Sequence, residues 1–224
     1  MRKPQAGFTL IEIAIVLVII GLLLGGVLKG QELITAARVR NLISTQDGVK
    51  AAYFGFLDRY RALPGDYSGA TINIPNCAAC QNGDSNGQIL TNGAVLESIS
   101  AWEHLSKAGF ITGSYIYAAA DVATSTPTNP YGSFVQLIYD NVYQDAAPSA
   151  RHNLKTGNNI PSDILAEVDR KVDDGRADGG QFRFSTRGGA SNAGDICFST
   201  AAGATLGQWK SAVPQANCGG ASLF

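Results

Sequence analysis

Histidine is nearly missing from this chain of 224 residues: only His104 and His152 occur, one on an apolar-patterned stretch beside Trp102 and one next to Arg151 in a segment read as a loop. No Ser-His-Asp grouping, HExxH helix or glycine-rich nucleotide loop accompanies them, so nothing in the sequence supports an enzyme. The Asp173-Asp174-Gly175 step reads as a helix-ending turn and not as a pair of catalytic acids. An excess of one charge is also missing. Seventeen Lys and Arg face 18 Asp and Glu for a formal net charge of -1, and the basic residues are scattered. Nucleic acid needs a basic stripe, and there is no direct signal for it as a partner.

Proline is missing from Phe8 to Leu63, and from Phe8 to Leu28 the only charge is Glu12. As a helix, that first stretch would span about 30 Å, the hydrocarbon thickness of a bilayer. It reads as a transmembrane helix. A secretory signal has a shorter apolar run closed by a small-x-small cleavage site; here Lys29, Gln31 and Glu32 follow, so removal of the whole segment is not expected. Arg2 and Lys3 precede the span while Lys29, Arg38 and Arg40 follow it, so the positive-inside rule does not orient it. Cys77, Cys80, Cys197 and Cys218 all lie after the span, which suits an oxidising compartment. The expected topology is a cytoplasmic amino terminus and an exported domain.

Past Leu28, Thr35, Val39, Leu42, Gln46, Val49, Tyr53, Phe56 and Tyr60 recur in alternating steps of four and three, with Gln46 the one polar slot. That is a narrow seam on one helix face. Pro64 and Gly65 then supply a stop. The pattern predicts one helix from Phe8 to Leu63, about 84 Å long, half in lipid and half covered by a globular domain. Gly21, Gly25, Gly26 and Gly30 weaken it by about 1 kcal/mol each. They read either as close packing against neighbouring helices or as sites of local melting.

Beyond Pro64, Ile99, Trp102, Leu105 and Phe110 predict a second helix; Ile164, Leu165, Val168 and Val172 predict a third, with Ser162 as its N-cap and Gly175 at its end. Strands are expected over 133–143, 181–186 and 195–200, from their β-branched and aromatic content. The cysteines allow three pairings, and spacing does not choose among them. A thiol oxidoreductase also uses CxxC, but Cys77-Ala-Ala-Cys80 lies in a Pro- and Asn-rich loop without the strand and helix such a centre needs. A four-cysteine zinc site is disfavoured by the lone spacing of the last two. Asn82, Asp84, Asn86 and Gly87 stand at the 1, 3, 5 and 6 spacing of an EF-hand-like calcium loop, but position twelve is Gly93 where a glutamate belongs. Asp66 or Glu97 could complete a shell, whereas the plain reading is a turn. Calcium, on Asn82, Asp84 and Asn86, is the only cofactor with any support.

"GFTLIEIAIVLVIIGLLL", preceded by "MRKPQA", resembles the class III signal and first helix of type IV pilins and type II secretion pseudopilins. The resemblance implies that a prepilin peptidase cuts after Gly7, that the same enzyme methylates Phe8, and that Glu12 is the assembly glutamate. It also implies an α+β, pilin-like fold, with the long helix packed on a small antiparallel sheet. Its parts would be a leader (1–7), a membrane helix (8–28), the exported half of the long helix (29–63) and a globular domain (64–224). Disulfides 77–80 and 197–218 are the expectation, the second stapling a C-terminal loop as in many pilins. Implied partners are the peptidase, an inner-membrane assembly platform, lipid, and other pilin-like subunits in a helical filament. "LPGD", "NGDSNGQI" and "AWEHLSKAGFITGSY" resemble segments of large minor-pilin-like or pseudopilin-like proteins. Many pilins carry a proline in mid-helix; this chain has none, so their kink is not carried over.

The resemblance gives the lone acid a purpose. Cleavage would leave an ammonium at Phe8, expensive in lipid unless paired. Phe8 and Glu12 stand at i and i+4, so one subunit could close the pair, whereas in pilins the pair forms between neighbours. A membrane-anchored, monomeric ligand-binding or redox domain is the alternative class.

Overall fold

The computed structural model describes residues 9–93, 95–186, 194–199 and 207–224. Its first element, α1, is one helix of 51 residues, Leu10–Tyr60, which runs through two compact units, one up to Arg38 and one from Val39 to Phe224. From Leu10 to Leu28, within the first unit, α1 is apolar on every side apart from Glu12, and its side chains are exposed, from Leu10 at 88% to Leu28 at 63%. A helix apolar all round has the composition of a bilayer span. This one is long and apolar enough to cross a membrane.

In the second unit α1 buries Val39, Leu42, Gln46, Val49, Tyr53 and Phe56 of the seam predicted from the four-three spacing, and Ala52 besides; Thr35 and Tyr60, at the two ends of the predicted seam, are half-buried. The helix ends three residues before Leu63, where Arg61 turns to φ +53 and donates its N–H to the Leu57 carbonyl at 2.9 Å. Pro64 pushes the residue before it out of helical geometry, so the stop lies upstream of the proline itself.

The globular part continues with α2 (Ala70–Asn73), the antiparallel pair β1 (Thr91–Asn92) and β2 (Val95–Leu96), α3 (Glu97–Lys107), β3 (Gln136–Asp140), β4 (Arg151–Lys155), α4 (Ser162–Val172), β5 (Phe182–Phe184), α5 (Gly194–Cys197) and β6 (Gly220–Leu223). The last four strands form an antiparallel sheet in the order β3-β4-β6-β5. Leu137, Leu154, Ser222 and Phe182 fall in one cross-strand row, and all four are buried. At one end of the row Leu137 and Leu154 join Val49, Tyr53 and Phe56 of α1 and Trp102 and Leu105 of α3 in one apolar cluster. Phe182, at the other end, belongs to a second cluster with Val39, Leu42, Leu165, Val168 and Trp209. Each large apolar side chain so buried contributes about 1.5–3 kcal/mol. The architecture is α+β and pilin-like.

Several expectations are corrected. Where a strand was expected over 195–200, Gly194–Cys197 form a helical turn, Phe198 makes a bridge to Trp209, and residue 200 lies outside the described residues; Cys197 is tied to Cys218, and among the described residues no strand pairs with this segment. The runs 133–143 and 181–186 shrink to β3 and β5. His152 sits in β4 and not in a loop. Ser162 is no N-cap: Pro161 holds that position, and the Ser162 hydroxyl donates to the Lys210 carbonyl (2.6 Å) and accepts the Gln215 N–H (2.8 Å). It therefore fastens the C-terminal loop. Of the three pairings, the structure holds Cys77–Cys80 and Cys197–Cys218. The second closes a long loop and stabilises the fold by about 3 kcal/mol.

Candidate functional site: the start of the long helix and the loop at its far end

Thr9 immediately precedes α1, and the first turn of a helix leaves N–H groups that lipid cannot satisfy. Here the Thr9 N–H and hydroxyl both donate to Glu12 Oε2 at 2.7 Å, and the Glu12 N–H donates back to Thr9 Oγ1 at 3.3 Å. This is a reciprocal capping box. It gives Glu12 a local task that the sequence reading missed, although its signal, Thr9-Leu10-Ile11-Glu12, was legible. Gly7 and Phe8 lie outside the described residues.

Past the far end of α1 the chain turns at Gly65 (φ +90), where an added Cβ would fall 2.3 Å from the Glu97 carbonyl oxygen. Glycine is required there for both reasons. The Gly65 N–H donates to His104 Nδ1 at 3.0 Å, and His104 Nε2 donates to the Gln81 carbonyl at 2.8 Å. The ring, fully buried, stacks on Phe56. A donor already occupying Nδ1 fixes the neutral Nε2–H tautomer, and burial pushes the imidazole pKa down to about 4. His104 thus has the partners that the sequence did not reveal. His152 accepts the Ile89 N–H at 3.4 Å.

The same turn gathers acids. Oxygens of Asp66, Asp84 and Glu97 lie within 4.8 Å of one another, with Asp66 and Glu97 buried and Asp84 exposed. Asp66 accepts the Asn86 and Gly87 N–H groups at 3.0 and 2.9 Å, and Glu97 accepts those of Asp84 and Leu90 at 3.2 and 3.0 Å. Burial raises both pKa values while these hydrogen bonds oppose the rise. Of the three residues expected to ligate calcium, only Asp84 joins this group through a carboxylate. Asn82 turns to Thr71, accepting its N–H at 3.1 Å, and Asn86 donates from Nδ2 to Asp84 Oδ2 at 3.0 Å.

A helix apolar enough to span a bilayer, with an acid capping its first turn, and a small α+β domain make a pilin-like architecture that fits membrane anchoring. Residues 2–28 match the prokaryotic N-terminal methylation motif. The chain therefore carries the prepilin-type signal of type IV pilins and pseudopilins. No curated protein and no solved structure matches the chain.

Proposed function

We propose that the chain is a structural subunit of a type IV pilus or type II secretion pseudopilus, without catalytic activity of its own. It is inserted as a precursor with its amino terminus in the cytoplasm, cut after Gly7, methylated at Phe8, and polymerised through α1. The methylation motif over residues 2–28 carries this reading. Glu12 then meets the Phe8 ammonium of a neighbouring copy, so two charges that are each unfavourable in lipid become one tolerable pair. Intact mass tests the processing: the mature protein is expected to begin at Phe8 with one added methyl group. A functional protein that retains its leader would instead support a tethered monomer.

A second element of the proposal is calcium at Asp66, Asp84 and Glu97. Three convergent carboxylates form the hard-oxygen donor set this ion prefers. Bound ion would offset their mutual repulsion and tie the loop after Pro64 to α3. Calcium chloride is expected to raise the melting temperature of the purified protein and chelator to lower it. Identical melts in both would remove calcium from the proposal.

A further inference from the structure

A cavity of about 240 Å³ lies between α1, α4 and the β5–β6 edge of the sheet. Its walls include the apolar Ile43, Val168, Val172 and Phe182. Gln46, which also lines it, is only 5% exposed, and its Oε1 accepts no hydrogen bond from any described residue. A buried acceptor without a donor costs stability, and leucine would avoid that cost. Among its described lining residues the charges are two carboxylates and one ammonium: Asp47 at the exposed rim, Asp173 and Lys50. Asp173 is held in place by accepting the N–H groups of Gln181 and Phe182. The Lys50 ammonium lies 5.8 Å from the centre of the Phe224 ring. The cavity therefore combines a net charge of -1, an acceptor lacking its donor, and apolar walls.

We infer that this cavity binds a guanidinium or ammonium group on an aliphatic stem. The cationic head supplies the hydrogen that Gln46 Oε1 lacks and offsets the surplus carboxylate, while the stem lies against Val168, Val172 and Phe182. Such a group comes from an Arg or Lys side chain of a second copy or from a free amine.

Calorimetric titration of the full-length protein in detergent with n-butylguanidinium chloride tests the site, with n-butanol as the uncharged control. Wild type is expected to bind the cation and not the alcohol. Gln46→Leu, which removes the unpaired acceptor and is expected to melt no lower than wild type, should bind about tenfold more weakly. Asp47→Asn, at the rim and harmless to packing, should also weaken binding. Absence of binding, or equal affinity in wild type and Gln46→Leu, overturns the inference. Repeating the titration on assembled filaments separates the sources: a cavity closed to the probe there points to a neighbour's side chain, and one still open points to a free amine. That second arm rests on the filament reading, whereas the first holds or fails without it.

Discussion

Glu12→Gln is expected to leave the protein in the membrane at wild-type levels and to lower its incorporation into filaments by roughly 100-fold. The magnitude follows from a charge left unpaired in the bilayer, about 2.5–3.5 kcal/mol on insertion scales. The substitution is clean for a reason visible at the helix start. A capping box accepts glutamine as well as glutamate at its fourth position, so the bonds from Thr9 to Oε2 have a replacement in the amide oxygen. Glu12→Gln thus removes the charge and keeps the cap, whereas Glu12→Ala removes both. Quantifying the subunit in sheared filaments and in membranes gives the two numbers. Wild-type incorporation of the Gln variant would leave capping as the whole role of Glu12.

His104 is expected to make the fold acid-sensitive. In the unfolded chain the imidazole takes its proton near pH 6.5, whereas in the fold, with Nδ1 occupied by the Gly65 N–H, it does so only near pH 4. Protonation then favours the unfolded state. The contribution is present above pH 6.5 and is lost as pH falls towards 4, amounting to about 3 kcal/mol. Buried Asp169, which accepts the Trp209 indole N–H at 2.6 Å, has its pKa raised to about 6 by burial and acts in the opposite sense. It keeps its proton in the fold up to that pH, so its contribution to stability declines as pH rises from about 4 to about 6. The histidine term is therefore read as a difference. Urea denaturation of wild type and His104→Gln should differ by about 3 kcal/mol less at pH 4 than at pH 7. Parallel pH profiles would show that His104 does not set the acid limit.

The elements that were legible in the sequence are those whose signal is local. The apolar run and the four-three seam from Val39 to Phe56 are periodicities of a single helix, and α3 and α4 show the same kind of pattern. Strands β4 and β6, reading Arg-His-Asn-Leu-Lys and Gly-Ala-Ser-Leu, carry little β preference of their own. They are strands because β4 lies between β3 and β6, and β6 between β4 and β5, each completing the other's hydrogen bonds. The reverse holds for Cys197, in a segment with strand-like content but, among the described residues, no neighbouring strand for a ladder. Ser162 resembled a helix cap in sequence, yet its hydroxyl was taken by a loop some 50 residues downstream.

The sequence by itself determined the long apolar helix, the lone acid four residues after Phe8 within the methylation motif, and the stop at Arg-Ala-Leu-Pro-Gly. Hydrophobicity and chain stiffness act over a few residues and need no distant partner. Only the tertiary structure decided the order of the sheet, the pairing of the cysteines, the lock between His104 and Gly65, and the meeting of Asp66 and Glu97 with Asp84. Each of these joins groups brought together by packing, and the residue types alone do not say which will meet.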